Sequence, residues 1–402
     1  MTATATAPKP RSRKTRSGGI VLPASTLARA IRDVDPAVPT RSPKPVLGNV
    51  LLADGYMTGT DLEIRISVPI PEADGPPMLL PFARLKAISS TLSPSDEVRL
   101  AVEGTSCIVT AGGGEWRLPV EDVAEFPPAP ADTGTSIGRL PGDQFAALMD
   151  AVKFATDNES SRYALGAVCV SFEPGGRDDE EGKLTFVATD GRRLAAASAT
   201  LAAQDLDASE TLLPRRAVDA ACRLASRAAA VQMTATRTEV ILTIGDYAEG
   251  QGVTGTVLRA RLTEGRFPRW RDVDVCEVGE PMPRRYSEPA TFAVAGSLLH
   301  AIKMASICTS ESSKGVDIAI TEGGLVVTAQ AAETGTSRVE CELAEVGHQT
   351  TVKIDPRFAR EWLDCGSIDS AETVSIEARD PQSAIVFRCG ECRTVVMPMS
   401  ND

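Results

Sequence analysis

The sequence predicts an α+β fold made of three repeats of one unit, each with two helices packed on antiparallel sheets. Three observations carry this. From Ile20 onward one order of patterns recurs three times: a short strand, a helix-period segment, a strand hairpin, a second helix-period segment and further strands. The strand segments alternate apolar with polar residues and are rich in Val, Ile and Thr, most cleanly at Val98-Leu100-Val102 and Val374-Ile376. Turn chemistry sits where hairpins need it, at Asp54-Gly55, Gly175-Gly176 and Gly323-Gly324. Repetition at this scale outweighs any single local assignment.

In the first unit the helical segments are 25–34 and 82–91, and the strands are 46–53, 56–68, 97–102 and 106–120. The second has helices over 142–156 and 215–229, with strands over 167–173, 183–200, 230–235 and 239–262. The third has helices over 295–308 and 356–365, with strands over 315–321, 324–343, 372–378 and 384–398. Phe126-Pro127-Pro128-Ala129-Pro130 leads into a Gly134–Gly138 linker, and Gly279–Pro289 carries three prolines. These connections divide the chain into a basic tail (1–19) and units at 20–137, 138–286 and 287–402. A chain of 402 residues is long enough for several cores.

Hydrophobic residues make up 43% and charged residues 24%, as in globular proteins, while aromatics at 4% leave the cores to Val, Leu, Ile and Ala. The net charge is −12 and unevenly placed, because Lys9, Arg11, Arg13, Lys14 and Arg16 crowd an acid-free N-terminus. That tail reads as a solvated, disordered arm without the apolar stretch of an export signal. No long apolar run suggests a membrane span. Nine scattered cysteines without framework spacing fit reduced thiols in a cytoplasm. The acids from Asp178 to Glu181 read as a solvated hairpin tip.

Enzyme signatures were tested and fail. Gly134-Thr135-Ser136-Ile137-Gly138 matches G-x-S-x-G, but a nucleophile elbow needs a strand before it, a helix after it and a histidine base. The chain has two histidines, His300 in a predicted helix and His348 in a turn. Gly182-Lys183 lacks the earlier glycine and the following Ser/Thr of a phosphate-binding loop. Cys389-Gly390-Glu391-Cys392 stands alone at a hairpin tip, without a second pair at zinc spacing. No cofactor, metal or catalytic residue is expected.

Basic residues are more informative. On the 215–229 helix, Arg216, Arg223 and Arg227 fall within roughly 40° of one another at about 100° per residue. Val218, Ala221, Cys222 and Ala225 occupy the opposite face. Arg29, Arg32, Arg84, Lys86, Lys153, Lys303, Arg357 and Arg360 place basic residues on the other five helices, with Asp33, Asp150, Asp219 and Glu361 interspersed. If these helices share a surface, it would hold a nucleic-acid backbone electrostatically, without base readout and with strong salt dependence.

Several stretches, in order, resemble one family. They are the threefold repeat, Pro45-Val46-Leu47-Gly48-Asn49 leading to Thr58-Gly59-Thr60-Asp61-Leu62-Glu63, Phe186 to Ala195 around Thr189-Asp190-Gly191-Arg192-Arg193-Leu194, Gly265-Arg266-Phe267-Pro268, and Val395-Val396-Met397-Pro398-Met399. Together they are similar to the bacterial DNA polymerase III β sliding clamp, from about Ile20 to Met399. The resemblance implies a half-ring of three clamp-type domains, a head-to-tail homodimer and six domains encircling duplex DNA. It implies a non-catalytic processivity factor that tethers the polymerase and other clamp-motif proteins and is opened by an ATP-driven clamp loader.

By position, the resemblance assigns the partner-peptide groove to Leu165, Thr189, Gly191, Arg192, Arg193, Leu194, Pro268, Val273, Val395, Met397, Pro398 and Met399. It assigns DNA contacts to Arg41 and to the helix residues Arg29, Arg32, Arg84, Lys153, Arg216, Arg223, Lys303, Arg357 and Arg360. It places the subunit interface where Trp116 and Leu118 meet Ile307 and Cys308. The chain departs from the family at Arg192, where His is frequent, at Asp272, where Arg is frequent, and in ending Ser400-Asn401-Asp402. A divergent or accessory clamp-fold module that binds a partner or ligand without supporting replication is the second reading.

Overall fold

The computed structural model describes residues 19–131, 134–157, 164–175, 181–201, 208–273, 290–311 and 314–399. The chain forms two compact units, Met1–Ala129 and Pro130–Asp402. Six α-helices are described: α1 (Ala24–Val34), α2 (Phe82–Ser89), α3 (Gly142–Lys153), α4 (Arg215–Ala225), α5 (Ala295–Ala305) and α6 (Pro356–Leu363). They pack in sequential pairs, α1 with α2, α3 with α4 and α5 with α6.

A shared local rule explains where these helices start. Each directly follows a short strand, and the residue before the first four is proline (Pro23, Pro81, Pro141, Pro214). Proline holds φ near the extended value and lacks an N–H, so it ends a strand and opens a helix without wasting a donor. In α6 the proline is the first helical residue, and Asp355 caps it by accepting from the Arg357 amide at 3.0 Å.

In the first unit, Ile20–Pro23, Glu97–Glu103, Ser106–Ala111 and Gly114–Pro119 form an antiparallel sheet in that order, with Gly114–Pro119 at one edge. Met78–Pro81, Asn49–Ala53, Tyr56–Thr60 and Ile64–Pro69 run side by side in a second sheet. Leu27, Ala30, Ile31 and Val34 of α1 are buried against it. Gly59 is required there, because a Cβ would stand 2.7 Å from Val38 Cγ2 and 2.9 Å from Val34 Cγ2.

In the second unit a nine-stranded sheet carries the order Ser209–Pro214, Ala167–Glu173, Gly182–Thr189, Arg193–Leu201, Cys392–Val396, Ile385–Cys389, Thr373–Glu377, Thr291–Val294, Leu343–Glu345. Its seam, Arg193–Leu201 against Cys392–Val396, pairs Leu194 with Val395 and Ala196 with Arg393. Helices cover one face, where Phe145 of α3 meets Phe186 edge-on at 5.9 Å and Trp362 of α6 tilts over Phe387 at 6.1 Å. On the other face Phe267 and Trp270 close over Cys169, Val187, Leu194, Ala196, Val386 and Val395. Thr135–Pro141, Ala230–Ala235, Glu239–Ala248 and Gly252–Arg261 pack on the far side of α3 and α4. A further sheet runs Gly335–Cys341, Gly324–Ala331, Val316–Thr321, Thr351–Ile354 beside α5, with Gly335–Cys341 at its edge.

The α+β class and the antiparallel hairpins are as expected; several details are not. The expected linker over Gly134–Gly138 is strand Thr135–Pro141, so the G-x-S-x-G match lies within a strand and the junction at 137/138 would cut it; the two compact units part at Ala129/Pro130. Pro45–Gly48 is a 3-10 turn and not the start of a strand, as its proline would favour. The runs 56–68, 183–200 and 324–343 are each broken by turns. The junction near 287, the basic tail, most of the acidic hairpin tip and Ser400-Asn401-Asp402 lie outside the described residues.

Candidate partner groove and basic helix faces

The turn between Gly182–Thr189 and Arg193–Leu201 is built by its own side chains. Thr189 Oγ1 donates to the Arg193 carbonyl at 2.6 Å and accepts from the Gly191 amide at 3.1 Å. Asp190 Oδ1 accepts from the amides of Arg192 (2.9 Å) and Arg193 (3.0 Å). Gly191 takes φ 83°, a left-handed value that suits glycine. The Arg192 carbonyl then accepts from the Met397 amide at 2.9 Å, tying the turn to the C-terminal segment.

The predicted groove residues divide by exposure. Gly191, Arg192, Val273 and Met397 are exposed, the last two at 43% and 45%. Pro268, Pro398 and Met399 are half-buried, and the Met399 amide donates to the Lys353 carbonyl at 2.7 Å. Leu165, Thr189, Arg193, Leu194 and Val395 are buried. Leu194 and Val395 therefore support the wall from beneath, in the cluster under Phe267 and Trp270, and do not line it.

Arg193 departs most from expectation. Its guanidinium donates to Asp190 Oδ2 (3.0 Å), Glu361 Oε2 (2.5 Å) and the Phe154 carbonyl (2.8 Å), between the rings of Phe154 and Phe358. It faces helices α3 and α6, not solvent. Asp190 was visible in the turn motif, but nothing local in the sequence marks Glu361, Phe154 or Phe358 as its partners.

Beside Pro268 lies a depression of about 460 Å³ lined by Glu210, Leu212 and residues 265–272. Arg271 braces it, bonding Glu173 and Glu210 (both 2.5 Å) and Ser171 (2.8 Å) and stacking on Trp270 at 4.3 Å. Sequence reasoning missed Arg271, whose acidic partners are about 60 and 100 residues away in the chain.

On α4, Ala217, Val218, Ala220, Ala221, Cys222, Leu224 and Ala225 are buried while Arg216 and Arg223 are exposed; Arg227, expected on the same helix, is exposed in the turn beyond its end. Several other helix cations are engaged with neighbours. Lys153 lies 2.7 Å from Asp150 and 3.9 Å from Asp219, linking α3 to α4; burial opposes its charge, but the hydrogen bond to Asp150 and the surrounding negative charges together outweigh this and hold the ammonium above its ordinary value. Lys303 reaches Asp364 at 3.2 Å, linking α5 to the end of α6, and Arg357 pairs with Asp355 at 2.6 Å. Arg360 is half-buried. In the first unit Arg29 donates to the Pro69 carbonyl (3.1 Å), Arg32 lies 3.2 Å from Asp33, and Arg41 and Arg84 are exposed.

Trp116 is half-buried and Leu118 buried on the edge strand Gly114–Pro119. Ile307 is 70% exposed and Cys308 is half-buried, both beside the edge strand Gly335–Cys341, whose Ser337 hydroxyl donates to the Ala305 carbonyl at 2.7 Å. In the C-x-x-C hairpin Cys389 donates to Glu372 Oε2 at 3.0 Å. Burial, then Glu372, pushes that thiol up to about 12, and burial does the same for Cys392. Both are protonated at neutral pH, the state opposite to that of a metal-binding thiolate.

The Thr189–Arg193 turn tied to Met397, the depression beside Pro268 and the outward arginines of α4 fit a docking protein of the DNA-tethering class. Models of the DNA polymerase III beta subunit match here, the N-terminal domain over residues 20–130 and the central domain over residues 139–269. The beta sliding clamp of Haemophilus influenzae is 28% identical over 93% of this chain and 97% of its own, and that of Escherichia coli K12 is 26% identical over 93% and 97%. The Pseudomonas aeruginosa beta subunit has the same fold, with TM-score 0.81 at 22% identity over 95% of this chain and 99% of its own. A Pseudomonas aeruginosa clamp bound to griselimycin superposes with TM-score 0.81 at 21% identity, covering 96% and 100%. The chain belongs to the bacterial DNA polymerase III β-subunit family, the sliding clamps.

Proposed function

We propose that two copies of this chain close head to tail into a six-domain ring around duplex DNA, each copy supplying three clamp-type domains. As a sliding clamp the protein is a non-catalytic processivity factor of DNA replication, with DNA and the polymerase as its partners. The observation that carries the ring reading is the face of α4, where Arg216 and Arg223 are exposed opposite an alanine-rich buried side in a chain of net charge −12. Such a surface attracts phosphate while the rest of the body repels it, giving grip without sequence readout.

The edges support the assembly. Gly114–Pro119 and Gly335–Cys341 each end a sheet with one side unpaired among the described residues, and Ile307 stands exposed beside the second. Pairing the first edge of one copy with the second edge of another would satisfy both. The exposed groove residues Gly191, Arg192, Val273 and Met397 would receive peptide segments of the polymerase, the clamp loader and other partners, and we infer that griselimycin, to which a Pseudomonas aeruginosa clamp is bound, would occupy them in this chain. Methionine and proline edges suit such varied anchors. The ring would act in the cytoplasm; no helix among the described residues is long and apolar enough to cross a membrane.

The test is loading by a clamp loader with ATP onto nicked circular DNA. Retention that is lost when the circle is cut supports an encircling ring; equal retention on linear DNA with open ends refutes it. Arg223→Ala should lower the slope of log K against log salt by about 1 without altering sequence preference.

A further inference from the structure

We propose that Arg193 is a positioning residue for the groove, a strut locked by Glu361, and that Glu361 therefore governs ligand affinity from outside the groove. This rests on reading the 189–193 turn as a groove wall. The guanidinium is 7% exposed and uses all three nitrogens on three separate segments: Nε on Asp190 in the turn, Nη1 on Glu361 of α6, and Nη2 on the carbonyl of Phe154 that follows α3. Its Cζ lies 5.0 Å from the ring centroid of Phe154 and 4.7 Å from that of Phe358. A guanidinium engaged through all three nitrogens, packed against two rings and 7% exposed leaves little surface for a ligand.

Its effect passes to the groove through the backbone. The Arg193 amide is held by Asp190 and its carbonyl by Thr189, and the adjoining Arg192 carbonyl accepts from Met397. The placing of Gly191, Arg192 and Met397 thus follows that of the guanidinium, which follows α3 and α6. Glu361 is the strut's accessible end, with a side chain 49% exposed on α6 and hydrogen-bonded to Arg193.

The test compares griselimycin affinity, amide hydrogen exchange and urea stability for the full-length protein and for Glu361→Leu, Glu361→Gln, Arg193→Ala and the double variant Arg193→Ala/Glu361→Leu. Glu361→Leu should weaken griselimycin about five- to tenfold, and Glu361→Gln, which keeps an acceptor oxygen, should recover most of the loss. The amides of Arg192 and Arg193 should exchange faster in Glu361→Leu while those of Ala167–Glu173 do not change. The double variant should bind no more weakly than Arg193→Ala, since both changes cut one link. Unchanged turn exchange in a folded Glu361→Leu protein, or strictly additive losses, would overturn the strut. Should the wild-type protein itself not bind griselimycin, the groove reading fails, and the exchange experiment still decides whether Glu361 positions the turn.

Discussion

At Thr60 and at Thr189 the chain leaves a strand in the same way. Thr60 Oγ1 donates to the Ile64 carbonyl (2.9 Å) and accepts from the Leu62 amide (3.1 Å), while Asp61 Oδ1 accepts from the amides of Glu63 (3.0 Å) and Ile64 (2.8 Å). The pattern reproduces that of Thr189 and Asp190, one bond for another. Threonine and aspartate thus build the turn, and the three residues after them are free to differ. The third is Leu62 with φ 78° in one and Gly191 with φ 83° in the other. The fifth is Ile64, 2% exposed in an apolar core, against Arg193, which is wired to two helices. One scaffold closes a hairpin in the first unit and ties a hairpin to two helices in the second. Nothing in the structure explains a leucine at the left-handed position of Leu62.

Exchanging residues between the two turns tests this contrast. The largest effect is expected from Arg193→Ile, which gives the second turn the first turn's residue. It strips Asp190 and the half-exposed Glu361 of a partner and leaves the Phe154 carbonyl without its donor, and should cost about 2 kcal/mol in urea unfolding. Stability equal to wild type would mean that the turns are interchangeable. Next, Asp190→Ala should cost somewhat less than that and Asp61→Ala about 1 kcal/mol, because Asp190 also holds the Arg193 guanidinium. Equal losses would assign the whole effect to the shared amide bonds.

Smaller still, Gly191→Leu should destabilise by about 1 kcal/mol, from the left-handed penalty on a side chain. Leu62→Gly should stabilise by about 0.5 kcal/mol, because the relief is offset by a more flexible unfolded chain. Calorimetric melting of both variants checks the pair of signs.

The smallest effect concerns a third aspartate of the same habit, Asp355, which accepts the amide two residues on and pairs with an arginine. Burial pushes this carboxyl up, but the hydrogen bonds from Arg357 outweigh burial and hold it below its ordinary value. A lowered folded pKa adds stability above the unfolded carboxylate range, about pH 4, and loses it as pH falls through the folded value. Asp355→Asn should therefore cost a little stability near neutrality, where the ionised carboxylate's contribution is fully present, and converge with wild type at acid pH, flattening the acid limb of stability below about pH 4.

How legible the fold was follows from the same local chemistry. All six helices begin within a residue of the expected start, and α1 ends where expected at Val34, but the ends of the other five were read too far along. The stops are hydroxyls and not glycines: Ser90, Thr91, Thr156 and Ser226 donate back to carbonyls three residues earlier, at Ala87, Ile88, Lys153 and Arg223. Ser and Thr carry too weak a stop signal to be read from a single sequence. The short strands Met78–Pro81, Thr135–Pro141, Ser209–Pro214 and Thr351–Ile354 were missed or read as linkers, since three of them end in proline and all are short.

The proposed groove is legible as a set of segments but not as a surface. Whether Leu194 or Val395 faces outward depends on the seam between strands 200 residues apart and on Phe267 and Trp270 closing over it. The role of Arg193 depends on Glu361, which lies 168 residues away. Burial set by such distant pairings leaves no periodic trace.

The unpaired strands at Gly114–Pro119 and Gly335–Cys341 also set how a cell must handle this protein. Each is a row of open amides and carbonyls that will template onto any extended chain, and Ile307 adds an apolar foothold beside one of them. In the proposed ring a newly made or opened copy would leave both edges uncovered, and the exposed charges of Glu115, Arg117, Arg338 and Glu340 would be their local defence against stacking into fibres.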